Sequence, residues 1–596
     1  MCGICGAFGD ADGSLSMPLI DEMNASQRHR GPDATYAWHD GRVSLGQTRL
    51  AVVDLGEGGR QPFHGSSGRV AVVFNGEIYN HLELRTRYAL DVEQRCDGAV
   101  LPALWSRLGP AAFAELRGMF AIGVVDLDAG TVTAARDPYG IKPLYWARRP
   151  GGSIAFASEV RSLLGLLDRP TLTRDAVQHF LRYGSMDRDS SPFAGIHAVP
   201  ANTWVQWDLD GHLLGRGEIR PSRLDAATTA GLRDSFLESV SVHLRSDVPT
   251  ALLLSSGIDS AALAWACRQL GADLTCVTVD TGDAVSEASD AAAIAAAFGH
   301  HHRVLREEPD AELMERFVGA MQKPSIDGLN TFLVSKAIRD LGIKVALTGV
   351  GGDEALAGYA SFRRLRVLPA LRHAERLGVS GLLARVGTAA HIGPKLTHLV
   401  GPAGPRDAAG LSRLSRRILL DDQVQALAPW TEPDGPHGPL DDASARALSL
   451  AELRGYLGGT LLADADAFSM AWSVELRLPY VDAPFITQAL AASPRRGVGK
   501  RGFAALLGDP LLAEITRRPK KGFSLPMDRW MRAGRLGAVD RVLEADAPVR
   551  RILDPAGIER TLRSWQAGQN RWTDAWQVTV LDAWLRSLPA EVSLAD

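Results

Sequence analysis

Thr250-Ala251-Leu252-Leu253-Leu254 is a short, largely apolar run without polar alternation, broken by Ser255-Ser256-Gly257 just before a helical stretch at 260–270. A run of that kind reads as a strand buried on both faces, the requirement of a parallel sheet. The pattern recurs along the chain. A helical stretch at 232–244 precedes it. A second strand at 274–279, an Ala-rich helix at 291–298 and the strand Val345-Ala346-Leu347 follow. Strands alternating with helices predict a parallel sheet with helices on its faces. The first two hundred residues read differently, apart from the N-terminal dozen. Val70-Ala71-Val72-Val73-Phe74 ends at Asn75-Gly76, and runs at 119–126, 131–133 and 154–157 are separated by Gly, Asp and Pro. These predict short strands joined by turns. The patterns change near 205–228. The stretch 362–445, rich in Arg, Gly and Pro, predicts helices with long loops, and the last 150 residues read as mainly helical. A chain of 596 residues exceeds what one core organises. We therefore expect a domain at 1–210 and another at 211–596, the latter with a variable insertion at about 362–445.

Charge narrows the function classes. Lys+Arg number 65 and Asp+Glu 69, a net charge of −4, and no segment gathers a dense basic block. A nucleic-acid partner bound through a broad basic face is not expected. No run of eighteen apolar residues is present, and the start lacks a basic segment leading into an apolar one, so neither a membrane partner nor a secretory signal is expected. Five cysteines make no disulfide framework and fit reduced thiols in a cytoplasmic enzyme.

Cys2 follows the initiator Met, and its small side chain permits removal of Met1. The residue then carries both a thiol and a free α-amine, whose ordinary pKa of about 8 suits it to take the thiol proton. Cys2-x-x-Cys5 as a metal or redox pair lacks a second Cys pair or a His at ligand spacing. Cys2-Gly3-Ile4-Cys5-Gly6, His29-Arg30-Gly31-Pro32-Asp33, Gln47-Thr48-Arg49-Leu50, Phe74-Asn75-Gly76-Glu77-Ile78-Tyr79-Asn80 and Cys96-Asp97 cover most of the first hundred residues. In that order they resemble the class II glutamine amidotransferases, the N-terminal-nucleophile type. The resemblance implies an αββα sandwich, with Cys2 as nucleophile and Asn75 and Gly76 as oxyanion donors. It assigns Arg49, Asn75, Gly76, Glu77 and Asp97 to glutamine. One departure is Cys96-Asp97-Gly98-Ala99, where relatives usually carry Asp, a hydroxyl residue and Glu; the Asp is kept and the Glu is not.

The second constellation is Leu253-Leu254-Ser255-Ser256-Gly257-Ile258-Asp259-Ser260, a strand turning through small residues into a helix. Such a turn offers backbone N–H groups and a helix N-terminus to phosphate oxygens, and Asp259 can hold Mg²⁺ beside them. The Walker A spacing is absent. The loop resembles the Ser-Gly-Gly-x-Asp-Ser loop of the ATP-pyrophosphatases, with Ser256 replacing the first Gly. If that position needs φ > 0, Ser weakens the site.

Further blocks narrow the resemblance to the asparagine synthetases and their relatives. These are Arg245-Ser246-Asp247-Val248-Pro249, Thr348-Gly349-Val350-Gly351-Gly352-Asp353-Glu354, Gly358-Tyr359, residues 461–470, 475–480 and Asp482, Lys500, and 520–526. The resemblance implies ATP binding by Leu253, Ser255, Ser256, Gly257, Asp259, Ser260, Thr348 and Gly349. It implies Mg²⁺ at Asp259 and Asp353, and catalysis by Lys500, one of only eight lysines. Val350 departs, because asparagine synthetases of the familiar kind carry an acid there, proposed to take a proton from ammonia, and valine has none to offer. His300-His301-His302 lacks helical ligand spacing and reads as a polar loop.

The expected enzyme hydrolyses glutamine at Cys2 and uses ATP to adenylate a carboxylate acceptor, aspartate by default, giving an amide, AMP and pyrophosphate. Ammonia is expected to travel inside the protein, with the run 119–125 as a candidate lining. A homodimer is a compatible assembly. Two alternatives stay open: a different carboxylate in a specialised pathway, and a binding protein with a degenerate nucleotide site; β-lactam synthetase-like or peptide-cyclising chemistry needs no ammonia, and the largely complete glutaminase set argues against it.

Overall fold

A computed structural model describes residues 1–9, 17–149, 151–219, 231–280, 287–381, 394–401, 404–405, 407–432, 443–492, 495–519, 525–537, 539–589 and 591–595. Residues 520–524 and parts of 362–445 lie outside these.

Two six-stranded antiparallel sheets build the first domain. One runs Ile196–Ala198, Tyr145–Arg148, Ile154–Ala157, Cys2–Phe8, Val43–Arg49 and Ala34–Asp40. The other runs Leu213–Glu218, Thr203–Asp208, Thr131–Arg136, Gly118–Asp126, Val70–Ile78 and Phe63–His64. The edge strand Leu213–Glu218 carries this sheet past residue 210.

Side chains alternate across a strand, and the alternation sorts the layers. From Val70–Ile78, Ala71 and Val73 face the first sheet and meet Ile4, Phe8 and Leu45 in a shared core. Val70, Val72 and Phe74 face the opposite way, against Leu84, Leu101 and Leu104 from the helices His81–Arg87 and Leu101–Leu108. On the far side of the first sheet, Cys5, Ala7 and Ala155 pack on Ile20, Met23 and Phe180 from the helices Met17–Ser26 and Arg174–Tyr183. Helix, sheet, sheet and helix thus stack in four layers. Each fully buried Val, Ile or Phe in them contributes about 1.5–3 kcal/mol.

One sequence expectation is corrected here. Asn75 and Gly76 do not form a turn, because the strand continues to Ile78 and pairs them with Ala121 and Phe120. The run 119–125 splits its side chains between two layers. As the strand Gly118–Asp126 it gives Phe120, Ile122 and Val124 to the helix side and Ala121 and Val125 to the sheet side. Of that run, Met119 joins the apolar cluster that reaches the second domain.

The second domain holds a five-stranded parallel sheet in the order His301–Arg306, Thr275–Asp280, Thr250–Leu253, Val345–Leu347 and Glu475–Arg477. Helices Leu232–His243, Ile258–Gln269 and Ala288–Phe298 pack one apolar cluster with it. His301 and His302 begin an edge strand rather than lying in a loop, and His300 precedes it. Glu475–Arg477 escapes a hydrophobic reading because two of its three residues are charged, yet all three are buried. Within 362–445, the described helices meet through Leu368, Leu399 and Leu411, joined by Leu448 from the helix beyond them.

The C-terminal helix Trp572–Arg586 leans on the first domain, where Trp584 meets Phe193 at 5.7 Å and Gln577 donates to the Leu181 carbonyl at 3.0 Å. The two domains therefore share continuous cores. Among the described residues, no helix is long and apolar enough to cross a membrane.

Candidate functional site

Register brings the first site together. Cys2 pairs with Arg49 and Ile4 with Gln47. Residues opposite each other on paired strands share a face, and Ile4 faces the inter-sheet layer. Cys2 therefore looks toward the second sheet, from which Asn75 looks back with the parity of Ala71 and Val73. They meet there: the Cys2 N–H donates to Asn75 Oδ1 at 3.1 Å. Gln47 Nε2 donates to Cys2 Sγ at 3.3 Å, and Arg30 Nε to the Cys2 carbonyl at 3.2 Å.

Two polar atoms beside this thiol have no partner: Asn75 Nδ2, a donor, and Gln47 Oε1, an acceptor. Leaving a buried polar atom unpaired costs about 1–3 kcal/mol, so such atoms mark a place built for a ligand. Gly76 sits at φ +148, and a Cβ there would collide with the Met119 carbonyl, so only glycine fits.

The remaining residues of this group are spread around the nucleophile. Arg49 donates to the Gly56 carbonyl at 2.6 Å and also reaches the Asp54 carbonyl. Asp97 accepts from the Ile78 N–H at 2.6 Å, and burial pushes its carboxyl up. Glu77 reaches the second domain, 3.0 Å from Arg477. Burial drives its carboxyl well up, opposed by Arg477. Cys5 is buried beside Asn24, and its thiol is raised by burial, which fits a core residue rather than a ligand. Among the described residues, no cluster of three or more His, Cys, Asp or Glu is placed to hold a metal ion.

The second site lies beyond the carboxyl ends of the strands Thr250–Leu253 and Val345–Leu347, where ligands of open parallel sheets bind. Leu253, Ser255, Asp259, Ser260, Thr348, Gly349 and Asp353 line a cleft of about 350 Å³, together with Val350, Glu354 and Tyr359. Ser256 and Gly257 form the turn behind it. Gly257 has φ −79, and Ser256 is not among the residues of positive φ, so serine is held there without strain. The Ser256 N–H points to Glu287 at 3.4 Å.

Lys500 reaches between the two acids, paired with Asp259 and 3.4 Å from Asp353. Burial lowers its ammonium, but the two carboxylates outweigh that and hold it raised. Glycines keep this corner open: a Cβ at Gly352 would strike Asp259, and one at Gly358 would strike Asp353 and Lys500. Mg²⁺ favours one or two carboxylates plus phosphate oxygens and water, and this cradle fits that donor set. Beside it, burial pushes Glu354 up to about 7, and the Tyr359 hydroxyl is hydrogen-bonded to it at 2.5 Å.

Between the two sites the interface is buried and charged. The Met1 ammonium lies 2.6 Å from Glu475, with both side chains fully enclosed. Burial would raise Glu475, yet the Met1 ammonium, Arg477 and Lys142 hold it down at about 2. Met1 packs there against Ile141, Lys142, Leu462, Ala465 and Leu476 among others, with no room left for a water molecule between them. Sequence reasoning missed Gln47, Arg477 and Asp466 as members of these surroundings. All three stood inside noted motifs without a task, and nothing in 461–470 or 475–480 signals a partner hundreds of residues away.

Residues 1–215 match the glutamine amidotransferase domain family, and 231–586 match the asparagine synthase family. Asparagine synthetase [glutamine-hydrolyzing] 1 of Bacillus subtilis is 27% identical over 576 residues, covering 89% of this chain and 88% of that protein. A Mycobacterium bovis protein, provisionally named a glutamine-hydrolyzing asparagine synthetase, is 28% identical over 640 residues, with 98% and 97% covered. Amidase chyE of Penicillium rubens is 30% identical over 390 residues, spanning 58% of this chain and 56% of its own.

Proposed function

This chain belongs to the asparagine synthase family, and on that premise we propose that it moves nitrogen from glutamine to an ATP-activated carboxylate, aspartate by default. The supporting observation is the position of Met1. Its ammonium rests on Glu475, the first residue of the strand paired to Val345–Leu347, and that strand runs straight into the nucleotide cleft. The nucleophile is thus one residue from the wall between the two sites.

In this reading Met1 is removed, and the Cys2 amine takes the thiol proton. Sulfur attacks the side-chain carbonyl carbon of glutamine. The oxyanion that forms is met by the Asn75 Nδ2–H and the Gly76 N–H, donors worth about 3 kcal/mol each. The carbon–nitrogen bond then breaks, and the nitrogen leaves with the proton held by the amine, as NH₃. Water hydrolyses the thioester to glutamate and the free thiol. Arg49 takes the substrate carboxylate, Asp97 its ammonium, and Glu77 closes the pocket from its place on Arg477.

Ammonia passes beside Ile141, Leu462 and Leu476, through the space that removal of Met1 opens there. In the cleft, the 253–260 turn and Thr348-Gly349 hold the phosphates of ATP. Asp259 and Asp353 would hold Mg²⁺, which supplies charge neutralisation on pyrophosphate. Lys500 balances the negative charge that develops as the acceptor carboxylate is adenylated and the adenylate is displaced by ammonia.

A second reading has its own support. Val350 lines the cleft and packs on the apolar core, so no acid stands at that position. Together with the amidase relatives, this favours an acceptor other than aspartate. Pyrophosphate release with glutamine, Mg·ATP and a panel of carboxylates tests both. Release that needs aspartate supports asparagine formation, and release with another acid supports the second reading. Glutamine hydrolysis and pyrophosphate release both absent would leave neither.

A further inference from the structure

We propose that Gln47 is the residue by which this site tells a carboxamide from a carboxylate, its side-chain oxygen receiving an N–H of the substrate amide beside the Cys2 sulfur. The proposal rests on the glutamine-hydrolysing reading above.

Two side chains touch Cys2 from opposite partners. Asn75, on the second sheet, accepts from its N–H at 3.1 Å, and Gln47, on the neighbouring strand, donates to its sulfur at 3.3 Å. Both are completely buried. The first bond leaves Asn75 a free donor, and the second leaves Gln47 a free acceptor once the sulfur is a thiolate, which can only accept. A substrate carboxamide carries the complement of that pair, one acceptor oxygen and one donor nitrogen on the carbon that sulfur must reach. With its oxygen on Asn75 Nδ2, its nitrogen is left to face Gln47 Oε1.

The product differs at that one atom. Glutamate presents a second acceptor oxygen where the amide nitrogen was, and it would meet Gln47 Oε1 lone pair to lone pair. A site whose buried polar groups match the substrate rejects the analogue that leaves them unpaired. The same contact that orients glutamine thus helps to expel glutamate.

Two variants of the full-length protein test this. Gln47→Met keeps the side-chain length and removes both polar atoms. Gln47→Glu keeps an acceptor and adds charge. In a glutaminase assay, KM for glutamine and the inhibition constant for glutamate are measured, with thermal unfolding to confirm the fold. Where hydrolysis is too slow, protection of Cys2 from iodoacetamide by each ligand gives the same comparison.

The ratio of the glutamate constant to the glutamine constant is expected to fall about tenfold in Gln47→Met, the worth of one discriminating hydrogen bond, and to rise in Gln47→Glu. A purely structural role would weaken both ligands together and leave the ratio in place. An unchanged ratio in the folded variants overturns the proposal. If Gln47→Met does not fold, a ratio in Gln47→Glu at or below that of the parent overturns it alone. A parent protein that hydrolyses no glutamine overturns the underlying reading, and this proposal with it.

Discussion

Arg30 Nη1 lies 2.8 Å from Asp466 Oδ2 across the domain interface, and both side chains are nearly or wholly enclosed. The same guanidinium donates through Nε to the Cys2 carbonyl and through Nη1 to Glu159 at 3.1 Å. One buried cation therefore ties the backbone of the nucleophile to the helix Leu462–Met470 of the second domain. Lys142 stands 3.6 Å from the other oxygen of Asp466.

Removing one partner of a buried ion pair leaves an uncompensated charge, at a cost of about 3–5 kcal/mol. Asp466→Asn is expected to lower thermal stability by that order, read in an unfolding curve. It is also expected to reduce glutamine-dependent amide formation more than ammonium-dependent formation, because the contact it weakens reaches Cys2.

Cys2→Ala is expected to abolish use of glutamine and to leave ammonium-dependent pyrophosphate release near that of the parent. Equal loss with both nitrogen sources in a folded protein would contradict the division of labour between the domains.

Lys500→Met removes the cation between Asp259 and Asp353 while leaving the amidotransferase domain untouched. Pyrophosphate release is expected to fall at least about a hundredfold, the scale of losing one charge-stabilising group. Glutamine hydrolysis measured without ATP is expected to persist.

Acid should loosen the Cys2 surroundings through Glu159. Burial raises its carboxyl, but His29 and Arg30 outweigh that and hold it at about 2. The unfolded value is about 4.3, so the folded state binds its proton later on acidification. The resulting stability, on the order of 3 kcal/mol, is fully present above about pH 5 and is lost as pH falls toward 2. Unfolding midpoints of the parent and Glu159→Gln across pH 7 to 3 are expected to converge as the pH drops.

The fold was legible where order is local. The run Thr250–Leu253 and the turn after it announced a buried strand and a loop facing the carboxyl edge, and the structure has both. The motifs around Cys2 and Asn75 meet because their strands are neighbours in the two stacked sheets, and Asp97, at the start of a short helix, reaches the Ile78 N–H on the strand that carries Asn75. What stayed hidden depends on distant pairing. Glu475–Arg477 carries two charges in three residues, and nothing local shows that Met1 and Glu77 neutralise them from the other domain. Asn75-Gly76 reads as a hairpin turn by composition, and only the ladder to Ala121 and Phe120 makes it mid-strand. Ser256 looked like a liability for a loop expected to need glycine, and the turn places it outside the left-handed region.

The central claim is that nitrogen released at Cys2 reaches the nucleotide cleft without leaving the protein. Glutamine labelled with ¹⁵N in its side-chain amide, supplied with Mg·ATP, the acceptor and an excess of unlabelled ammonium, tests it by mass analysis of the amide product. The account predicts that the product keeps nearly all of the glutamine label despite the unlabelled pool. Label diluted to the proportion of ammonium in bulk solution would contradict it.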